Sequence, residues 1–200
     1  MSKTRAKKIK LLLFDVDGVM TDGKLWILPN PPLPTRAPRL RSGQAPGGAP
    51  ADEIEAKGFH AHDGTAISLA RLGGVKTGLI TKRTSETVAL RARDLRLEYV
   101  YQGVGVKIGV FEEILKKEKI VAAEVAYIGD DVIDLPIMRR CGFAIAVANA
   151  RDEVKQEAHW VTPHAGGEGA IRDAVEYILR ARGSWDAVVK TYLERGDAPK

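Results

Sequence analysis

Asp15 and Asp17 stand on either side of Val16, directly after the apolar run Leu11 to Phe14 and just before Gly18. In an extended strand, residues two apart point the same way, so both carboxylates can serve one point at the strand's end. Gly18 permits a sharp turn after them. Two carboxylates this close repel each other, and burying them without a partner is costly. A hard divalent cation such as Mg²⁺ relieves that cost, because it prefers carboxylate oxygens. A second acidic group follows another apolar run: Tyr127-Ile128-Gly129 leads into Asp130 and Asp131, with Asp134 about one helical turn on. One such acid reads as a helix cap. Capping does not account for two acidic groups at two strand ends. Thr81 closes a third apolar run, and Lys107 opens a helical pattern. A hydroxyl, a lysine and a metal-bound pair of acids suit a phosphoryl group, with a carboxylate available as nucleophile.

Short apolar runs must deliver these residues. Segments 10–14, 76–80, 98–102, 125–129 and 143–148 read as buried strands. Between them lie helical patterns. One runs from Asp63, an expected N-cap, to the stop at Gly73-Gly74. Another carries Val88, Ala92 and Leu95, and a third places Ile108, Phe111, Ile114 and Leu115 on one face. Strands alternating with helices predict an α/β fold, a parallel sheet covered on both faces. Ligands in such folds sit at the C-terminal ends of the strands, where the acids fall. The last third predicts a short helix, a short strand over 160–162, a Gly-rich bend at 165–170, a helix over about 171–182 and one more short helix.

At 200 residues the chain is expected to form a single domain. Its net charge of +5 is concentrated partly in the first nine residues, read as a solvated basic tail. No nucleic-acid-reading motif accompanies it. Segment 28–53 holds seven of the ten prolines and reads as a flexible loop between two arms of a β-hairpin. Cys141 is the only cysteine, which fits a reducing compartment. The apolar run before Asp15 is too short for a signal peptide, and none is long enough to span a membrane. The expectation is a cytoplasmic protein without membrane or nucleic-acid partners.

Asp15-Val16-Asp17-Gly18, Thr81, Lys107 and Gly129-Asp130-Asp131, in that order, resemble the four motifs of the haloacid dehalogenase superfamily. The stretches 15–27, 58–67, 101–107, 125–150 and 165–179 further resemble its small, capless branch, and 64–107 leaves no room for a cap domain. The resemblance implies a Rossmann-like core with a β-hairpin after the first strand. It implies Asp15 as nucleophile, Asp17 as general acid/base and, through its carbonyl, a ligand of Mg²⁺. Asp130 completes the metal site, with Asp131 and Asp134 as supporting acids. Thr81 and Lys107 hold the phosphate. His60, His62, Asp63, Gly64, Arg83 and Arg91, with Asp17 and Lys107, become candidate substrate contacts. Arg83 and Arg91 also suit a carboxylate or phosphate on chemical grounds.

By the same resemblance the expected substrate is a phosphorylated acidic sugar, first of all 3-deoxy-D-manno-octulosonate 8-phosphate on the way to lipopolysaccharide. A nonulosonate 9-phosphate or a general small sugar phosphate is the alternative. The expected assembly is a homotetramer whose neighbouring subunits close the site. A non-catalytic scaffold would let the motif residues decay, and all are present. Three positions depart from the family pattern. Lys82 stands for a Gly that an unusual backbone angle would require, His62 for an Arg, and Ser68 for a basic residue found in some members.

Overall fold

The computed structural model describes residues 2–29 and 53–196. Six parallel strands form the central sheet: β1 (Leu11–Phe14), β4 (Lys76–Ile80), β5 (Tyr99–Tyr101), β6 (Val125–Gly129), β7 (Phe143–Ala146) and β8 (Trp160–Val161). A separate two-stranded antiparallel hairpin pairs β2 (Trp26–Pro29) with β3 (Glu53–Ala56). The sheet order is β5-β4-β1-β6-β7-β8. Chain order therefore runs outward from β1 to β5 on one side and restarts at β6 on the other. That reversal opens a crevice at the C-terminal end of β1. Phe14 sits opposite Leu79 on one neighbour and Ile128 on the other, so three strands end together there. Every residue of β1, β6 and β7 is buried, as unbroken apolar runs in a doubly covered sheet require.

The helices are α1 (Ser2–Ala6), α2 (Ala61–Leu72), α3 (Glu86–Asp94), α4 (Lys107–Glu118), α5 (Leu135–Met138), α6 (Asp152–Glu157), α7 (Ala170–Arg182) and α8 (Trp185–Arg195). One group packs α1, α2 and α8 around α7, and another joins α4, α5 and α6. Segment 64–107 is filled by α2, β4, α3 and β5, with no cap between them.

Three expectations need correction. The basic N-terminus is not a solvated tail. Its first turn is helical, Ala6 and Ile9 are buried, and the Arg5 guanidinium donates to the Gly142 carbonyl at 2.9 Å. Asp63 does not cap its own helix, since His60 occupies the N-cap position of α2. Asp63 lies one turn in, and its Oδ1 accepts the Arg172 N–H at 2.8 Å. It thus satisfies an orphan donor in the first turn of α7, capping a neighbour's helix. The Pro-rich segment is shorter as a connection than 28–53: Leu28, Pro29 and Glu53 belong to hairpin strands. Residues 30–52 lie outside the described residues.

The edge beside β7 carries a pH dependence. His159 Nδ1 accepts the Ala144 N–H at 2.9 Å, which only an unprotonated nitrogen can do. Burial, then the Arg5 guanidinium, holds the ring's pKa below its ordinary 6.5. The unfolded chain then takes up its proton first, so stability is present above pH 6.5 and falls as the pH drops below it. Acidification from pH 7 to 5 is expected to lower the melting temperature of wild type more than that of His159→Asn, whose amide oxygen can accept the same N–H. Equal slopes in thermal melts at stepped pH would remove His159 from the account.

Candidate active site

Asp15 continues β1 by one residue, and its backbone N–H still donates to Ile128 O at 3.1 Å. Its Oδ1 accepts the Val16 N–H at 2.7 Å, and its Oδ2 lies 2.7 Å from Lys107 Nζ. Lys107 is the first residue of α4, where the helix dipole disfavours a cation. It is only 4% exposed. Carboxylates overcome both penalties, because the same ammonium lies 2.7 Å from Asp134 Oδ1.

Asp134 is fully buried, and all its acceptor capacity is in use. Oδ1 takes Lys107 and the Tyr127 hydroxyl, the latter at 2.7 Å. Oδ2 takes the backbone N–H groups of Asp130 at 3.1 Å and Asp131 at 3.4 Å. An ionised carboxylate offers about four lone-pair sites, and four donors fill them. Asp134 is therefore the organiser of the Gly-Asp-Asp turn and of Lys107. Asp131 has a local task too, its side chain accepting the Val132 N–H at 2.7 Å.

Asp15, Asp130 and Asp134 each bring a carboxylate oxygen within 4.8 Å of the others. The cluster repels itself. Burial first, then the charge of Asp134, raises Asp15 to about 6; burial, then Asp134 and Asp15, raises Asp130 to about 7. Asp130 Oδ1 is buried and has no hydrogen-bond partner among the described residues. An oxygen-only donor set, mutual repulsion and an orphaned carboxylate oxygen are what a divalent cation would relieve. Asp15 and Asp130 have capacity for it; Asp134 has none left. Gly18 is essential to this packing. It has φ +89, and a Cβ there would lie 2.1 Å from Asp130 Oδ2.

The other motif residues separate into two groups. Asp15, Asp17, Thr81, Arg83, Asp130 and Asp131 line one cavity of about 210 Å³, with Lys82 and Ile133 at its wall. The Asp17 carboxylate stands apart from the acidic cluster. Its Oδ1 pairs with Lys57, and its Oδ2 lies 3.8 Å from Arg83 Nε. His60, His62, Asp63, Gly64 and Arg91 do not line this cavity. The rings of His60 and His62 meet edge-on at 4.8 Å, and the Arg91 guanidinium lies 5.8 Å from the centre of the Phe59 ring. The departure at Lys82 carries no strain: among the described non-glycine residues only Arg96 and Lys119 have positive φ.

Three residues that the motif reading passed over support the site. Tyr127 pins Asp134 from below. Lys57 reaches Asp17 from the hairpin. Asn149 spans the catalytic turn and the Gly-rich bend, its Nδ2 donating to Gly18 O at 3.4 Å and its Oδ1 accepting the Gly166 N–H at 2.7 Å. The bend packs so closely that a Cβ on Gly166 would lie 1.7 Å from Gly18 O. Only Tyr127 carried a signal, as a polar-tipped aromatic inside an apolar strand three residues before Asp130.

A parallel sheet ending in an aspartate, a buried lysine and a cation-ready pair of acids defines a phosphoryl-transfer hydrolase of the α/β class. The family description that matches residues 91–174 is haloacid dehalogenase-like hydrolase. The 3-deoxy-D-manno-octulosonate 8-phosphate phosphatase of Salmonella typhi is 34% identical over 183 residues, covering 92% of this chain and 86% of its own. The crystal structure of the Moraxella catarrhalis phosphatase of that name, in complex with magnesium, phosphate and KDO, superposes with a TM-score of 0.80 at 32% identity, covering 95% of this chain and 97% of that one. The Yersinia pestis phosphatase superposes with a TM-score of 0.78 at 32% identity, covering 92% and 88%. The chain belongs to the haloacid dehalogenase-like hydrolases, in the group of the 3-deoxy-D-manno-octulosonate 8-phosphate phosphatases.

Proposed function

We propose that this protein is a Mg²⁺-dependent phosphatase that hydrolyses 3-deoxy-D-manno-octulosonate 8-phosphate. The observation that carries the chemistry is the convergence of Asp15, Lys107 and Asp130 at one strand end, with Asp130 Oδ1 unpartnered. The choice of sugar rests on relatives that bear that substrate's name over nearly the whole chain. Asp15 and Asp130 would hold the Mg²⁺ through their side chains, joined by the Asp17 carbonyl as family resemblance implies. When bound, the ion supplies charge neutralisation for the transferring phosphoryl group.

Asp15 attacks phosphorus, and the bond from phosphorus to the sugar oxygen breaks with its electron pair. Asp17 gives that oxygen a proton. The resulting carboxylate of Asp17 then takes a proton from water, which attacks the aspartyl-phosphate and releases inorganic phosphate. Lys107 holds Asp15 in place before attack and offsets charge on the phosphoryl oxygens during it. Thr81, buried in the same cavity, would hold the phosphoryl group, and the half-exposed Arg83 would face the sugar.

Leu25, Trp26, Ile27, Leu28 and Ile54 are exposed apolar residues of the hairpin, with Trp26, Leu28 and Ile54 sharing one face. Such a surface favours association, and it supports a homotetramer in which neighbours close the site. Among the described residues no helix is long and apolar enough to cross a membrane. A cytoplasmic enzyme feeding lipopolysaccharide synthesis is the reading we adopt.

The test is phosphate release from a panel: octulosonate 8-phosphate, a nonulosonate 9-phosphate and p-nitrophenyl phosphate, each with Mg²⁺ or with EDTA. The expected result is Mg²⁺-dependent release with kcat/KM for the octulosonate at least about 10-fold above the nonulosonate, the range a pocket of matched size achieves. A preference for the nine-carbon sugar would transfer the assignment to that substrate. Release that survives EDTA, or none at all, would overturn the chemistry.

A further inference from the structure

Lys57 is absent from every motif that defines the site. It follows β3, and its side chain is 0% exposed. A desolvated ammonium on a hairpin otherwise open to water is costly unless it is paired. Its Nζ meets Asp17 Oδ1, and it lies 3.4 Å from Glu55 Oε1. Glu55 stands two residues earlier, on the same face of the strand. That Glu55 oxygen also takes Arg83 Nη2 at 3.2 Å. The hairpin is docked to α3 at this point, with the Thr87 hydroxyl donating to Glu55 O at 3.1 Å. Two acids and two bases therefore form a neutral network. Within it Arg83 is the loose member: 45% of its side chain is exposed, and it stands 3.8 Å from Asp17. Lys57 is the fixed one.

We infer that Lys57 is a positioning residue for the reaction, holding the Asp17 carboxylate where it can exchange a proton with the sugar oxygen. The inference rests on the phosphatase reading above. Asp17 shares its cavity with Asp15, Asp130 and Asp131, but its carboxylate is turned to the hairpin side. The Lys57 ammonium on Oδ1 fixes it there. The hairpin thus acts on the chemistry of the leaving group.

The experiment compares wild type, Lys57→Met and Lys57→Arg on two substrates with Mg²⁺. An alkyl sugar phosphate needs a proton on its leaving oxygen, whereas the phenolate of p-nitrophenyl phosphate leaves without one. The sugar phosphate is octulosonate 8-phosphate, or whichever sugar phosphate wild type turns over. Lys57→Met is expected to lower kcat for the sugar phosphate by about 10²-fold, the scale of positioned acid catalysis. KM and the pre-steady-state burst of p-nitrophenolate should stay within about 3-fold, because that first step needs no proton, while the later hydrolysis of the aspartyl-phosphate, which uses Asp17 as base, slows for both substrates. Lys57→Arg is expected to recover most of the loss. A fall in the p-nitrophenolate burst rate as large as the fall in sugar-phosphate turnover, with a lowered melting temperature, would make Lys57 structural only. Unchanged kinetics in Lys57→Met would overturn the inference while wild-type activity upheld the phosphatase reading. Wild type inactive on both substrates would instead remove that reading, and the inference with it.

Discussion

Asp15→Asn is expected to lower kcat by on the order of 10⁴- to 10⁶-fold, the scale of losing a covalent nucleophile. The substitution also removes one carboxylate from the proposed Mg²⁺ site and from the Lys107 pair, so the comparison is made at saturating Mg²⁺. An Asn carbonyl still accepts the Val16 N–H that Asp15 Oδ1 accepts now. What disappears is Oδ2, the oxygen 2.7 Å from Lys107 Nζ, where the amide nitrogen can neither attack phosphorus nor receive the ammonium's proton. Binding of the phosphate through Thr81 and Lys107 should persist, so the loss belongs in kcat rather than KM. Stopped-flow phosphate release would show the wild-type turnover replaced by a flat baseline. Residual turnover within about tenfold of wild type would place the nucleophile elsewhere.

Lys107→Met removes a buried cation from between two carboxylates, and stability and rate should both suffer. Asp15 and Asp134 would face each other with no intervening charge. Breaking a buried pair from one side costs about 3–5 kcal/mol. The rate should fall by about 10²- to 10³-fold, as when one preorganised charge-stabilising donor is lost. The two effects separate with Mg²⁺. A bound cation stabilises the folded state by mass action and restores part of the lost stability, but it cannot replace an ammonium at the first turn of α4. Urea unfolding with and without Mg²⁺, run beside steady-state kinetics, would read both. If stability stays at the wild-type value in EDTA, the pairing seen around Lys107 carries no net energy.

The grouping of the acids with Thr81 at the strand ends was legible because residue types suited to phosphoryl chemistry directly follow apolar runs. Asp15, Thr81 and Asp130 each follow an apolar run, and strands of matched register bring them together. The hairpin arms were equally plain, since a proline-dense stretch between two β-rich flanks cannot be core. Lys57 was not visible. Nothing local separates it from Lys24 or Lys82, and its burial arises only when the hairpin folds against Asp17. Asp63 shows the same limit. Its position before an apolar pattern announces a cap, and it is one, but for α7 rather than for its own helix. Periodicity reports which face is buried; it does not report which distant backbone group a carboxylate will meet. The concern raised by Lys82 was settled by backbone geometry, which a residue type alone does not determine.

The bridge made by Asn149 bears on how the enzyme comes into being. It ties the catalytic turn to residues 131 positions further along the chain, and the Gly-rich bend beyond it closes directly over Gly18. Contacts of such sequence separation form late, after most of the loop-closure entropy has been met. On a ribosome the aspartates emerge well before the bend, and the turn that aims them stays open until the bend has been made and docked. A growing chain therefore carries Asp15 long before the turn around it is closed, and the site can assemble only after residues 149–167 have been made.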